Sequence, residues 1–266
     1  MNAQTNKGTA LITGASSGIG AVYADRLARR GYDLILVARD HKRLSILAEK
    51  LGTETGRKME IIVADLTNKA DVLKLEQRLR NDSAITLLLN NAGVGATAKL
   101  LDSDLDKMEE MIQLNVTALI RLSGGAAASF SQRGSGIVIN IASIAALAPE
   151  MLNGTYSGSK AFVVNFTQSM HHELADKGIQ VQAVLPGATS TDFWDKAGVP
   201  VQHLPTEIVM TAEEMVDAAL AGLDQRELIT IPSLPDAADW NSFDAARKYL
   251  GPNLSRMHAA ARYKAA

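Results

Sequence analysis

The chain contains no cysteine. The absence of thiols excludes disulfide bonds and thiolate metal sites. The opening residues MNAQTNKGTALITGASS are also too polar for the core of a secretory signal peptide, so we expect no such peptide here. These features together lead us to expect a cytoplasmic protein.

The chain also has little excess charge, because its 27 basic residues nearly balance its 29 acidic residues and the net charge is -2. Such a chain offers no basic field for a nucleic-acid backbone or an anionic membrane. The most apolar windows, VTALIRL and IVINIASIAALAP, are short and carry Arg121 or Asn140. The sequence therefore predicts no nucleic-acid partner, no membrane association and no transmembrane segment.

Candidate metal ligands are few. His171 and His172 adjoin Glu173, yet the chain has no H-E-x-x-H motif, and neighbouring helix residues point in different directions. We predict no metal site.

Short β-rich runs alternate with longer amphipathic segments along the chain. Segments such as AVYADRLARRG and LSILAEKLGTETG have apolar residues at i, i+3 and i+4 and end at glycine. Continuous apolar strands indicate burial on both faces, and right-handed crossovers then produce a parallel sheet covered by helices on both sides. The sequence predicts an α/β fold of the Rossmann type: a doubly wound, seven-stranded parallel sheet in a single domain over residues 1–266. The predicted strands cover residues 9–13, 33–38, 59–64, 85–90, 136–142, 179–185 and 228–232.

The segment TGASSGIG, residues 13–20, lies between the first predicted strand and the first predicted helix. In dinucleotide-binding folds the pyrophosphate rests on helix N-terminal amides at this position. Gly14 suits a tight turn, Gly18 lets the backbone approach the phosphates, and Gly20 permits close packing of helix on strand. The alternative is a glycine-rich turn in which Ser16 or Ser17 only caps the helix.

The G-x-x-x-G-x-G spacing, with Tyr156 and Lys160 far downstream, resembles the short-chain dehydrogenase/reductase family. The resemblance covers about residues 8–232 and includes, in the family's order, Asp65-Leu66, NNAG at 90–93, Asn115, Ser143 and PGATST at 186–191. It implies cofactor contacts from Gly14, Ser16, Ser17, Gly18, Ile19, Gly20, Arg39, Asp65, Leu66, Asn91, Ala92, Gly93, Tyr156, Lys160, Pro186, Gly187, Thr189 and Thr191. Three members have simpler alternatives: Asp65 begins a turn, Asn115 is a packed polar group, and Ser143 caps its own loop.

The position after the second predicted strand distinguishes the two nicotinamide cofactors. NAD sites place Asp or Glu about 20 residues past the glycines, where it accepts from the ribose 2′-OH. Here Arg39 follows that strand, and a guanidinium suits a 2′-phosphate. Ser16, Ser17 and Arg43 are further candidates for the same phosphate. Asp40 keeps NAD(H) open as an alternative, because a small loop shift would bring its carboxylate to the ribose. We expect NADP(H).

Tyr156 and Lys160 are four residues apart and therefore share one face of a predicted helix. Carbonyl reduction by hydride leaves an alkoxide that needs a proton, and a phenol can supply it, or remove it in reverse. A phenol needs a pKa about 3 below its usual value of about 10 to work near neutrality. A cation about 4 Å away, at an effective dielectric of about 20, lowers it by about that much. Ser143 is expected to donate to the developing oxyanion. The alternative for Tyr156 is a core residue whose hydroxyl bonds a nearby serine.

The family resemblance implies further roles. Lys160 also holds the nicotinamide ribose hydroxyls, and Asn115 anchors a water that relays protons to Lys160. Thr189 and Thr191 contact the cofactor carboxamide and pyrophosphate, with ordinary turn chemistry as their alternative. The family also pairs a helix across a subunit interface, so we expect a homodimer or homotetramer.

Two glycines stand inside a helical pattern, in RLSGGAAASF. Each of them, Gly124 and Gly125, costs about 1 kcal/mol relative to alanine. We expect a close helix approach to compensate.

The substrate pocket is expected between residues 145–152 and 192–210, and residues 186–210 suggest a lid. Phe193, Trp194, Val199 and Leu204 are its apolar candidates, or plain core residues. Lys196 is the only lysine or arginine in the second stretch, so we expect a neutral, fairly apolar ketone, aldehyde or secondary alcohol. The C-terminal extension at about 235–266 is expected to close over the site or to brace a partner subunit.

The leading hypothesis is thus an NADP(H)-dependent oxidoreductase with Tyr156 as general acid/base. One alternative is an NAD-dependent alcohol dehydrogenase of the same fold. Another is a regulatory protein that binds NADP(H) and senses its redox state without turnover, since fold does not guarantee catalysis. An intact Ser143, Tyr156 and Lys160 favours the enzyme.

Overall fold

A computed structural model describes residues 6–263 of the chain. These residues form two compact units, one ending at Pro232 and one beginning at Ser233. The first unit holds the whole β-sheet and all of the predicted site residues.

Seven parallel strands form one sheet in the order β3-β2-β1-β4-β5-β6-β7. The order reverses between β1 and β4, and ligands of such sheets bind outside the carboxyl ends of the strands at this switch point. The predicted fold class is confirmed, although β7 has only two residues. The strands are β1 Thr9–Thr13, β2 Asp33–Ala38, β3 Met59–Val63, β4 Ile85–Asn90, β5 Gly136–Ile141, β6 Ile179–Val184 and β7 Ile229–Thr230.

Helices cover both faces of this sheet. Ala10 and Ile12 of β1 pack in one apolar cluster with α1, α2 and α8, whereas Leu11 packs in a second with α3, α5 and α6. Alternate side chains of one strand thus meet opposite helical layers, as a doubly wound sheet requires. The helices are α1 Gly18–Arg29, α2 His41–Thr55, α3 Lys69–Asn81, α4 Leu105–Ile112, α5 Leu119–Arg133, α6 Gly154–Leu174, α7 Phe193–Ala197 and α8 Ala212–Asp224.

The two glycines of α5 have different surroundings. A Cβ on Gly125 would lie 2.9 Å from the carbonyl oxygen of Glu76 in α3, a distance that real Cβ atoms do not tolerate. Gly124 is exposed, and a Cβ there would meet nothing within 4 Å among the described residues. The expected close approach of helices is found at Gly125 and not at Gly124.

The second unit contains α9, Ala237–Tyr249. Asp236 caps this helix by accepting from the backbone amide of Ala238 at 2.8 Å, and the rings of Trp240 and Phe243 lie 5.4 Å apart. No residue of α9 is buried. Within residues 6–263, no helix is long and apolar enough to cross a bilayer, and no three His, Cys, Asp or Glu residues are grouped to hold a metal ion.

Candidate active site

The glycine-rich loop joins β1 to α1 at the switch point of the sheet. Gly14 and Gly18 have φ angles of 65° and 53°, in the left-handed region that favours glycine. A Cβ on Gly20 would collide with the carbonyl oxygen of Gly14. Ser17 is the N-cap residue of α1, yet its side chain makes no capping hydrogen bond within the described chain. Helix amides without a cap form a natural anion site, so the serine-cap alternative is not supported.

Thr13, a residue that sequence reasoning did not single out, ties this loop to the NNAG motif. Its hydroxyl donates to the carbonyl of Leu89 at 3.2 Å and accepts from the amides of Asn91 and Ala92, both at 3.0 Å. The Asn91 side chain donates in turn to the carbonyls of Thr13 and Gly14, at 2.9 and 3.2 Å. Asn91 therefore positions the turn with its side-chain amide. The signal in the sequence that could have identified Thr13 is its position as the last residue of an apolar strand.

Asp65 follows β3 and accepts from the backbone and side chain of Thr67, at 3.0 and 2.8 Å. The backbone hydrogen bond from Thr67 is the main cause that lowers the pKa of Asp65. One Asp65 oxygen also lies 3.9 Å from the guanidinium of Arg39, whose side chain is largely exposed while that of Asp65 is partly buried. Asp65 thus has the turn role that was its alternative to a cofactor contact. Leu66, the next residue, is buried.

Arg43 has a partner that the sequence could not indicate. Its guanidinium donates to the carboxylate of Asp192 at 3.1 Å, across 149 positions of sequence. It also lies 3.5 Å from Asp40, whose carboxylate caps α2 by accepting from the Arg43 amide at 3.0 Å. Asp40 is therefore engaged at the helix end.

Ser143, Tyr156 and Lys160 converge at the carboxyl end of β5. Ser143 is separated from the end of β5 by Ala142, and its hydroxyl accepts from the amide of Ala145 at 3.1 Å. Tyr156 and Lys160 lie on successive turns of α6, and both are buried. The Lys160 ammonium lies 5.8 Å from the centre of the Tyr156 ring and donates to the carbonyl of Ile141 at 2.9 Å.

Burial dominates the proton equilibria of this pair. Desolvation raises the pKa of Tyr156 to about 12, and a hydrogen bond with Ser143 partly opposes the rise. Desolvation also lowers the pKa of Lys160 to about 8. The expected acidification of the phenol by the lysine is therefore not found in the protein alone, because removing the phenol from water disfavours its charged form.

Asn115 lies in a π-helical segment, Gln113–Ala118, between α4 and α5. Its side-chain amide donates to the Val94 carbonyl and the Ser159 hydroxyl, at 2.9 and 3.1 Å, and its oxygen accepts from the Val94 amide at 3.0 Å. A Cβ on Gly93 would lie 3.1 Å from that oxygen and 3.4 Å from the Lys160 nitrogen. The side chains of Asn115 and Lys160 therefore both lie close to the backbone of Gly93. Single-turn π segments are frequent at functional sites.

The loop after β6 contacts both the segment after β5 and the glycine-rich loop. The Pro186 carbonyl accepts from the amide of Ile144 at 3.1 Å, and Thr189 donates to the carbonyl of Gly187 at 3.1 Å. A Cβ on Gly18 would lie 3.1 Å from the Thr191 methyl carbon. Thr191 therefore lies against the loop that is predicted to hold the pyrophosphate.

The helix α7 covers the site. The Phe193 ring lies 5.8 Å from that of Tyr156, and a side chain on Gly95 would collide with it. The Ala197 carbonyl accepts from the Thr97 amide and hydroxyl, at 3.1 and 2.8 Å. The predicted lid thus contains a short helix fastened to the loop after β4.

An apolar wall surrounds the Tyr156 ring. Of the apolar candidates from the sequence, Phe193 belongs to it, as does Leu152 from the 145–152 stretch, whereas Val199 and Leu204 do not. Trp194 contacts the Phe193 ring edge-on at 5.7 Å and donates to the Thr189 carbonyl at 3.0 Å. Sequence reasoning missed part of the wall, namely Val94, Ala96, Met108 and Met111.

The other predicted cofactor residues lie in the same region. Ser16 is half-buried in the glycine-rich loop. The Ile19 side chain packs against the apolar cluster beside α1, so a cofactor contact by Ile19 is a prediction for its backbone amide.

Known proteins resemble this chain over most of its length. A short-chain dehydrogenase from Sphingobium yanoikuyae, solved in complex with NADPH, is 48% identical, with 97% of this chain and 100% of that chain covered and a TM-score of 0.94. A bulky-bulky ketone specific alcohol dehydrogenase from Comamonas testosteroni is 46% identical, with 97% and 99% covered and a TM-score of 0.90. The human 17-beta-hydroxysteroid dehydrogenase type 3 is 33% identical, over 79% of this chain and 66% of its own length.

The short chain dehydrogenase family matches residues 8–199, well over half of the chain. That match runs from β1 through the glycine-rich loop, Ser143, Tyr156 and Lys160 to the end of α7. The protein is an oxidoreductase that belongs to the short-chain dehydrogenase/reductase family.

Proposed function

We propose that this protein transfers hydride between NADP(H) and a neutral ketone, aldehyde or secondary alcohol, with Tyr156 as general acid/base. The observation that carries the proposal is the meeting of Ser143, Tyr156 and Lys160 at the carboxyl end of β5. The chain also fits a dinucleotide, because its left-handed glycines and uncapped first-turn amides form a cradle at the start of α1.

The nicotinamide, when bound, supplies or accepts the hydride. Tyr156 gives a proton to the substrate oxygen in reduction and removes it in oxidation. A pKa of about 12 keeps the phenol protonated near neutrality, which suits reduction. Oxidation requires a stabilised phenolate, and the groups of the chain that favour it are the Lys160 ammonium and the Ser143 hydroxyl. Ser143 also donates to the oxyanion as negative charge develops.

Support for NADP(H) comes from the residues that follow β2. Arg39 is largely exposed there, and its ion-pair contact with Asp65 is long, at 3.9 Å, so the guanidinium can turn toward a phosphate. Asp40, the carboxylate that kept NAD(H) open, serves as the cap of α2. The Sphingobium relative was solved with NADPH.

Support for an apolar substrate comes from the wall beside Tyr156. Val94, Met108, Leu152 and Phe193 bring apolar side chains to it, and such a surface favours substrates without charge. The Comamonas relative is named for ketones that are bulky on both sides, and the human relative for hydroxysteroids. We therefore propose bulky apolar ketones and the matching secondary alcohols as the first substrates to test.

We further propose a cytoplasmic homodimer or homotetramer. The lack of cysteine agrees with a reducing compartment. Exposed apolar side chains on α4 and α5 agree with a subunit interface, and they include Leu105, Ile112 and Ile120.

The test is turnover of bulky ketones with NADPH and NADH side by side. Wild type is expected to prefer NADPH, and Tyr156→Phe to lose at least about 100-fold in kcat, since it removes the proton donor. Tyr32→Phe is the matched control, because Tyr32 is also buried but lies between α1 and β2. Binding of NADPH without turnover by the wild type would favour the regulatory alternative, and equal rates with both cofactors would remove the proposed role of Arg39.

A further inference from the structure

Residues 191–193, where the lid helix α7 begins, contact both ends of the proposed cofactor site. Thr191 lies against Gly18 of the glycine-rich loop, and Asp192 accepts from the Arg43 guanidinium of α2 at 3.1 Å. Phe193, the next residue, lies over the ring of Tyr156. Asp192 is therefore the residue at which the lid is joined to the helix that follows β2.

We infer that Asp192 is a cofactor-specificity residue, an inference that rests on the proposed NADP(H) preference. Asp192 competes with the ribose 2′-phosphate for Arg43. When the phosphate binds Arg43, Asp192 loses its partner and this end of the lid is released. In dinucleotide folds the end of β2 reaches the ribose 2′ position, and Arg43 lies within the first turn of the helix that follows. NADH has no group that would draw Arg43 away from Asp192.

The energetics favour such an exchange. The Arg43 and Asp192 side chains are 53% and 56% exposed, and an exposed ion pair changes an equilibrium constant by only about 1.4- to fivefold. A phosphate carries more charge than a carboxylate and accepts two parallel hydrogen bonds from a guanidinium. Arg39 is available as a second ligand, because its contact with Asp65 is long and exposed. The phosphate therefore displaces Asp192 from Arg43 at a small cost in free energy.

Coupling to the lid follows from the chain itself. Asp192 directly precedes α7, and the Phe193 packing on Tyr156 and the Thr97 hydrogen bonds to Ala197 attach that helix on the substrate side. Breaking the Arg43 contact removes an attachment on the cofactor side and leaves those on the substrate side. Trp194, two residues beyond Asp192, reports on the change, since its indole is held by the Thr189 carbonyl.

The experiment uses 2′,5′-ADP and 5′-ADP, which differ only in the 2′-phosphate and carry no nicotinamide. The full chain with Trp240→Phe leaves Trp194 as its only tryptophan, because the sequence has two. We expect 2′,5′-ADP to bind more tightly than 5′-ADP and to change Trp194 emission, whereas 5′-ADP leaves the emission unchanged at saturation.

Substitutions then separate the lid contact from the general effect of charge. Asp192→Asn is expected to bind 2′,5′-ADP about 1.4- to fivefold more tightly, the range that corresponds to an exposed ion pair, with 5′-ADP unaffected. Asp195→Asn is the matched control: it removes the same charge from the lid, and Asp195 makes no ion pair within the described residues. Arg43→Gln is expected to weaken 2′,5′-ADP binding and to abolish the gain from Asp192→Asn.

The possible failures are distinguishable. If 2′,5′-ADP binds no better than 5′-ADP, the proposed cofactor preference is wrong and the role of Asp192 falls with it. If 2′,5′-ADP binds better but Trp194 emission does not respond, or Asp192→Asn behaves like Asp195→Asn, the inference about Asp192 is wrong while the cofactor preference stands.

Discussion

At the scale of single residues, desolvation controls the pKa values of Tyr156 and Lys160. Lys160 is buried beside Tyr156, and its pKa falls from an ordinary 10.5 to about 8. Below pH 8 the lysine is protonated in both states, so folding includes the cost of burying an ammonium. Between about pH 8 and 10.5 the unfolded chain binds more protons at this residue than the folded chain, and the stability contributed here rises with pH. Lysine at this position therefore opposes stability at neutral pH.

We predict that Lys160→Met unfolds at a higher urea concentration than wild type at pH 7, and that the difference shrinks as pH rises from 8 to 10. Measurements should stop near pH 10. Above that pH the raised pKa of Tyr156 makes the free energy of unfolding fall as pH rises, which opposes the effect of Lys160. Lys50→Met is the control, since Lys50 is exposed. A pH-independent difference between Lys160→Met and wild type would contradict the prediction.

Two buried hydroxyls offer a contrast. The Tyr23 hydroxyl is buried in the core and has no hydrogen-bond partner among residues 6–263, whereas the Thr13 hydroxyl makes three hydrogen bonds. An unpaired buried polar group costs about 1 to 3 kcal/mol. Tyr23→Phe should therefore leave the free energy of unfolding unchanged or raise it by about 1 kcal/mol, and Thr13→Val should lower it by about 1 to 3 kcal/mol. Urea titration measures both, and a loss above 1 kcal/mol in Tyr23→Phe would show that its hydroxyl is satisfied.

At the scale of the element, adjacent glycines in α5 should respond in opposite directions. Gly124 has open space and Gly125 meets the backbone of Glu76. Alanine is a better helix former than glycine by about 1 kcal/mol, so Gly124→Ala should raise the free energy of unfolding by up to that amount. Gly125→Ala should lower it, because α3 and α5 must move apart. Thermal unfolding of both variants at one protein concentration measures the pair, and a stabilising Gly125→Ala would refute the proposed contact.

Elements differ in how far their sequence predicts them. Strands such as β1, β2 and β4 are continuous apolar runs between turn residues, and their bounds match the predicted ones. The π segment at Asn115 has no such signal, since its side chains follow the pattern of an ordinary helix. The spacing of Tyr156 and Lys160 places both on one face of α6, but it carries no information on burial, which reverses the expected change in the phenol pKa. The Arg43–Asp192 pair joins residues 149 positions apart, and only the fold brings them together.

At the scale of the whole molecule, the first unit leaves an apolar surface uncovered on its α4 and α5 helices. Leu105, Ile112 and Ile120 expose 69%, 36% and 39% of their surfaces. Exposed apolar side chains that form a contiguous patch mark interaction sites, and we propose that these three belong to a subunit interface. A twofold pairing of identical helices buries such a surface in both copies at once. This exposure supports the proposed homo-oligomer.

We predict a dimeric or tetrameric mass for the wild type at micromolar concentration, and a shift to monomer in Ile120→Glu. A buried glutamate without a partner is costly, and the symmetry of the pairing doubles that cost because each interface contains two copies. Ile46→Glu is the matched control, since Ile46 is 60% exposed on α2, away from the proposed interface. Light scattering coupled to size exclusion measures all three masses. A monomeric wild type would remove the proposed interface, and an unchanged Ile120→Glu would move the interface to another surface.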